Sequence, residues 1–281
     1  MSNPFAESWY GYADVDYPDL GTALLLDSVT AYAAWSLRKL SSVHTYAIRV
    51  RRSSDNAEQD IGFANGVLDT SSLLTFCGAG SGYIVKKYDA TGNNRDWIEE
   101  TTTRQTRIVN SGVVDATGGF SAERHLTGVT CGLSNAALDD QSVIDYYSVW
   151  SVSTEDGSSI PYGSKGNSGV YWFVMQSGAG TSPSSGAGSP TAWKNGAEIA
   201  SPTRADLYTA FAGSGIVIAR SQAASTTYVS WGATGVLEGY LNTTFGFNGH
   251  WLESIVFTSD STSVAATVEA DMADFYGVAL A

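Results

Sequence analysis

From about residue 105 onward, apolar positions alternate with polar ones or gather in short blocks. "SVIDYYSVWSVS", "GVYWFVMQ", "SGIVIAR", "TTYVSW" and "HWLESIVFTS" each read as strands. Upstream, "HTYAIRVRR" and "GYIVKKYD" have the same character. "TAWKNGAEIA" sets Asn195 and Gly196 between two short runs. Both residues tolerate φ > 0, so this stretch predicts a two-residue hairpin. Residues 21–41 give the first predicted helix, with Asp27 or Ser28 as cap, Ala31, Ala34, Trp35 and Leu37 along it, and Arg38 and Lys39 at its C-terminal end. "LDTSSLLTF" (68–76) gives a second, capped by Asp69. Near the C-terminus Val264, Val268 and Met272 recur every four residues, Phe275 and Tyr276 extend the stripe, and Gly277 stands as C-cap. "SGAGTSPSSGAGSP" (177–190) reads as a hairpin tip of small residues, and no internal repeat is found. Many strands with helices only at the periphery predict an all-β fold: one two-sheet antiparallel sandwich over residues 25–281, preceded by an arm over 1–24.

Composition narrows the functions. Of 281 residues only 15% are charged, while Gly numbers 30 and aromatics reach 12%, which suits an all-β protein with a Ser/Thr/Asn surface. A net charge of −13 argues against nucleic acid as a partner, because phosphate binding needs Lys and Arg to displace counterions. In the main basic cluster, "RVRR", Arg49 and Arg51 share a face at strand period and predict a solvated or ion-paired surface rather than an anion site. No apolar run approaches the roughly 20 residues of a membrane helix. The N-terminus "MSNPFAESWYGYADVDYPDL" is acidic rather than a signal peptide, so no membrane insertion and no export are expected. Cys77 and Cys131 make neither a disulfide framework nor a zinc site, and no cofactor or metal is expected.

The densest polar motif is "YDATGNNRDW". Asp and Asn side chains hydrogen-bond backbone N–H groups nearby, and Gly92 and Asn93 tolerate left-handed geometry. Tyr88, Asp89, Gly92, Asn93 and Asp96 therefore read as a structural turn. Counted from Asp89, the calcium-loop template has Glu100 at its twelfth position but would need Thr91 as a ligand at its third.

The stretch from "AAWSLRKL" through "AIRVRRSSD", "LDTSSLLTFC" and "YDATGNNRD" resembles the N-terminal half of the α-L-arabinofuranosidase B catalytic-type domain, well over roughly residues 25–115. "NGHWLESIVFTSDSTSVAATVEADMADFYG" resembles the closing strand and helix of concanavalin A-like modules. The resemblance implies a concanavalin A-like jelly roll. Such domains occur in glycosidases and in bacteriophage structural proteins, and "SLRKL…IRVRRSSDNAEQDIGF" is closer to the phage wording.

The family's catalytic pair is not found. Retaining hydrolysis needs two carboxylates about 5–5.5 Å apart. The family places its nucleophilic Glu near adjacent cysteines and its acid/base Asp in a Gly-rich segment before the last strands. This chain has no Cys-Cys pair, Cys77 lacks the expected nearby partner, and no Asp occurs between Leu207 and Ser259. Glu238 and Glu253 are the carboxylates there. Glu253, on the face of Trp251 and Ile255 at strand period, reads as a structural acceptor. "EE" at 99–100, "DD" at 139–140 and "ED" at 155–156 point to opposite faces. His44, His125 and His250 have no triad or metal spacing.

The expected function is thus a non-catalytic virion structural protein of a bacteriophage, on tail, baseplate or capsid surface, made in the host cytoplasm and partnered by other virion proteins or by itself, for example as a trimer. Phe5, Trp9, Tyr10, Tyr12 and Tyr17 would form its assembly arm. Host-surface carbohydrate is the candidate ligand, with Trp231, Tyr240 and Asn242 as candidate binding residues. A glycoside hydrolase with relocated carboxylates is the alternative.

Overall fold

The computed structural model describes residues 24–126, 133–135, 145–152, 158–164, 171–181, 191–222, 236–238 and 247–281. At its centre lies the strand Gly249–Phe257. It pairs antiparallel with Asp145–Val152 on one side and with Ala33–Ser36 and Glu123–His125 on the other. Asp145–Val152 continues to Val217–Gln222, and that strand to Thr191–Lys194. A second group begins at Glu58–Ile61 and passes through Ile48–Arg52 and Gly82–Lys87 to Arg107–Asn110. Arg124 opposite Arg107 links the two groups. These pairings are all antiparallel.

Adjacent residues of the central strands feed different cores, the period-two signature of a strand buried on both faces. Tyr146, Trp150, Trp251 and Val256 join a cluster with Ile48, Val50, Ile84 and Ile108 of the second group. Tyr147, Val149, Ile218, Ile255 and Phe257 join another, closed by Val268, Met272, Phe275 and Tyr276 of the helix Thr262–Tyr276. That helix ends as the stripe predicts, with Gly277 at φ 64° and its N–H bonded to the Ala273 carbonyl. The hairpin between Thr191–Lys194 and Ala197–Ile199 turns on Asn195 and Gly196, at φ 51° and 82°. Asp69 caps Thr70–Cys77 by accepting from the Ser72 N–H at 2.9 Å. No helix among the described residues is long and apolar enough to cross a membrane.

Three expectations are corrected. The predicted helix over 21–41 is one short turn, Leu25–Ser28, followed by the strand Ala33–Ser36. Asp27 caps no helix; its carboxylate accepts from the Ser42 N–H at 2.8 Å. Ala34 packs into one core and Trp35 into the other, so an unbroken apolar run imitated a helical face. Secondly, an internal helix, Arg204–Phe211, was not predicted. Its signal is the capping box of Thr203 and Asp206, and it buries Leu207 and Phe211, the latter 5.0 Å from the ring of Trp150. Thirdly, Trp251 does not share a face with Glu253 and Ile255. Trp150 pairs with Trp251 and Val149 with Glu253, so Leu252 is an extra residue in a β-bulge that reverses the alternation.

The buried ionisable groups predict an acid-sensitive fold. Burial, followed by the charge of Lys39, lowers the His44 pKa from 6.5 to about 3. Burial would raise that of Glu123, but Lys87 and then His125 overcome it and hold it near 2, below its ordinary 4.5. Both folded values lie below the unfolded ones. The unfolded chain therefore takes up more protons, from pH 6.5 to about 3 for His44 and from 4.5 to about 2 for Glu123. The stabilisation is present above those windows and lost as pH falls through them. The urea midpoint is expected to fall steadily between about pH 7 and about pH 4, and His44→Gln should flatten the upper part of that fall. A midpoint constant over this range would contradict the assignment.

Candidate functional site

The turn after Gly82–Lys87 is held by its own acids. Asp89 is buried; its Oδ1 accepts from the N–H groups of Ala34 and Thr91, both at 3.1 Å. Its Oδ2 accepts from the Thr91 hydroxyl at 2.7 Å and the Arg95 N–H at 3.1 Å. Asp96 accepts from the Asp89 N–H at 2.9 Å and from Lys86 Nζ at 3.0 Å. Tyr88 donates to Asp60 at 2.6 Å. The left-handed residues are Gly92 (φ 78°) and Asn94 (φ 58°), so Asn93 does not take the place assigned to it. Arg95 closes the loop by donating to the Tyr32 carbonyl at 2.6 Å, while its own carbonyl takes the Trp35 Nε1–H at 2.8 Å. Every acceptor bond of Asp89 goes to the fold. Among the described residues no group of His, Cys, Asp and Glu is arranged to hold a metal ion.

The buried carboxylates are similarly engaged. Glu253, with a fully buried side chain, accepts from Arg38 Nε at 2.7 Å and Nη2 at 2.9 Å, from Ser36 Oγ at 2.9 Å and from the Tyr276 hydroxyl at 3.0 Å. Arg38 also reaches Asp271. Asp145 pairs with Arg220 at 3.3 Å and accepts from Ser261 Oγ at 2.6 Å. Glu123 lies 3.0 Å from both Lys87 Nζ and His125 Nε2, and all three side chains are buried. Glu253, Asp145 and Glu123 are all buried. Trp35, Trp97, Trp150 and Trp251 are buried as well, and Trp193 is half-covered, with the Arg220 guanidinium 4.3 Å from its ring centre. Cys77 is a buried free thiol whose pKa burial raises.

A concave surface among the described residues lies elsewhere, where the two strand groups meet at Arg107 and Arg124. A groove of about 480 Å³ has a charged wall of Arg51, Arg107 and Arg124. Ser53, Thr102, Thr103 and Gln105 supply hydroxyl and amide groups, and Tyr83 and Leu126 supply apolar surface. Arg107 is paired with Asp115 at 2.7 Å. Arg124 donates to the Gly249 carbonyl at 2.9 Å, to Asn248 Oδ1 at 2.8 Å and to the His125 carbonyl. Arg51 is only 8% exposed, contrary to the solvated or ion-paired face expected of it. It donates to Gln105 Oε1 at 2.7 Å, Asn56 Oδ1 at 2.8 Å and the Thr102 carbonyl at 3.4 Å, and lies 5.0 Å from the Tyr83 ring centre. Its neighbours in sequence behave as expected: Arg49 pairs with Asp60 and Arg52 with Asp55. Behind the groove, burial and then Arg124 lower the His250 pKa to about 4. The groove was missed because its three arginines come from three separated strands; the Thr- and Arg-rich "TTTRQTR" was the one local sign of it.

The other predicted site residues fall outside the described ones: Trp231, Tyr240 and Asn242 of the glycan candidate, Phe5, Trp9, Tyr10, Tyr12 and Tyr17 of the arm, and Cys131. Of Glu238 only the strand position, in Val236–Glu238, is described.

No protein-family model matches the chain, and no curated protein matches it. Solved structures do. The chain is similar to a Glu-to-Gln variant of an α-L-arabinofuranosidase of glycoside hydrolase family 54 soaked with 4-nitrophenyl α-L-arabinofuranoside, with a TM-score of 0.57 and 15% identity. It is also similar to the family 54 enzyme soaked with a cyclic sulfate inhibitor, with a TM-score of 0.54 and 15% identity. Each match covers 88% of this chain and 63% of that chain. At this identity the likeness establishes the fold: a mainly β, antiparallel architecture with few short helices, similar to the family 54 β-sandwich.

Proposed function

We propose that the protein is a non-catalytic, glycan-binding β-sandwich. In this reading its strands form two facing sheets in the concanavalin A-like jelly-roll manner, and the groove at Arg51, Arg107 and Arg124 is the binding surface. The observation that carries it is the groove's chemistry. Hydroxyls, an amide, an aromatic ring and guanidinium groups suit the hydroxyls and faces of sugars. No carboxylate lines the groove among the described residues, whereas glycoside hydrolysis needs two, flanking one bond. The likeness to sandwiches that act on arabinofuranosides supports a sugar ligand. A bacteriophage particle as the place of work, with residues 1–20 in contacts to other copies or other virion proteins, rests on the sequence wording and on five aromatics in that acidic arm.

The same fold likeness favours the alternative, an arabinofuranosidase with relocated carboxylates. Titration calorimetry with a panel of plant and bacterial oligosaccharides, beside an assay on 4-nitrophenyl α-L-arabinofuranoside, separates the two. The expected result is saccharide binding with no nitrophenol release. Release that is lost in Glu238→Gln would establish the hydrolase instead.

A further inference from the structure

We propose that the ligand of the groove is acidic: a saccharide whose carboxylate is received by the Arg51 guanidinium. This rests on the reading of the groove as a glycan site and adds the ligand's chemical class.

The charge around Arg51 is unbalanced. A guanidinium withdrawn from water needs a compensating anion, and arginine is almost never fully buried without one. Arg51 is 8% exposed, yet its partners are two amide oxygens, one backbone carbonyl and an aromatic face, all neutral. These bonds engage three of the five N–H donors that a guanidinium carries. Arg49, Arg52 and Arg107 each have a carboxylate within 2.7 Å. Arg51 is thus built like its neighbours but without the anion, and it faces a cavity.

The surroundings define that anion further. Arg124 and the Asp115-paired Arg107 line the same groove, so an oxyanion entering it meets guanidinium groups and no lining carboxylate among the described residues. Gln105 and Asn56 fix the fork of Arg51, and a fixed fork accepts a planar carboxylate through two parallel bonds. A bare inorganic ion would leave the hydroxyls of Thr102 and Thr103 unused; a uronic acid, carrying carboxylate and hydroxyls on one ring, engages them together. A groove of about 480 Å³ is within the range of small-ligand sites and takes one or two such rings. Three arginines on so acidic a chain are poorly suited to a nucleic-acid backbone.

The test uses the full chain and three ligands: an oligogalacturonide, its fully methyl-esterified form, which is neutral, and inorganic phosphate. The acid is expected to bind and the ester to bind about tenfold or more weakly, as expected for loss of a charge-assisted bidentate contact. Arg51→Gln should weaken the acid to the level of the ester, and Arg51→Lys should restore part of the loss. Thr103→Glu, at an exposed position, should repel the acid while melting like the native protein, so a folding defect in the Arg51 variants does not decide the matter. Acid and ester bound equally, and unaffected by Arg51→Gln or Thr103→Glu, would overturn the inference while leaving the glycan reading intact. Neither the acid nor the ester bound would overturn the inference, and no binding across the oligosaccharide panel as well would overturn the glycan reading. Phosphate that competes as well as the oligosaccharide binds would reduce the groove to an anion site and overturn the acidic-saccharide assignment.

Discussion

Glu253→Gln is expected to destabilise the protein by about 3–5 kcal/mol, the usual cost of removing one partner from a buried ion pair. The Glu253 side chain is fully buried and that of Arg38 is 4% exposed. Glutamine keeps the volume but removes the charge that Arg38 faces through two nitrogens. With the amide oxygen kept at the Oε2 position, where Ser36, Tyr276 and Arg38 Nε donate, its NH2 falls at the Oε1 position and meets the Arg38 Nη2 donor. Arg38 would keep Asp271, which is 29% exposed and therefore better screened by water. Around it Phe275, with its ring centre 4.7 Å from the guanidinium, and Tyr276 are both buried. Urea unfolding with an unchanged m-value and a lowered midpoint is the predicted outcome. A loss below about 1 kcal/mol would show that the pair is worth no more than an exposed one.

The second large effect is expected at Asp89. Asp89→Ala removes four acceptor bonds and strands the N–H of Ala34, which is fully buried in the strand Ala33–Ser36. At about 1–3 kcal/mol for each buried donor left without a partner, and with the exposed ones rehydrated, the loss should be about 3 kcal/mol. Amide exchange reports it locally: Ala34 and Arg95 should lose protection well before residues of Asp145–Val152. Asp89→Asn retains acceptor oxygen on one side and should cost less. Unchanged stability in Asp89→Ala would mean that the motif serves a ligand rather than the fold.

What could be read from the sequence depended on how local each determinant was. The hairpin at Asn195-Gly196, the Asp69 cap and the Gly277 end are decided by a few adjacent residues, and each stands where the local chemistry puts it. The strand Ala33–Ser36 is decided by neighbours more than 200 residues away in the chain, since Ala33 pairs with Val256 and Ser36 with Glu253. Burial on both faces erased the alternation that would have marked it. The face of Trp251 depended on one inserted residue, Leu252, visible only once Val149 and Trp150 are aligned against it. The reading of Glu253 as an internal acceptor survived that error, because its chemistry did not depend on sharing a face with Trp251. The groove was the least legible feature. Nothing near Arg51 announces that its partners will be neutral, because Gln105 and Thr102 reach it from about fifty residues away and Arg124 lines the same wall from another strand.

The central claim is that the groove holds an acidic saccharide without cutting it. Nuclear magnetic resonance of the full chain during titration with an oligogalacturonide examines both halves at once, through the Nε–H resonance of Arg51 and the anomeric signals of the ligand. The predicted result is a saturable shift of the Arg51 resonance while the anomeric signals keep their intensities for days. An Arg51 resonance that does not move, or new reducing-end signals growing with time, would contradict the account.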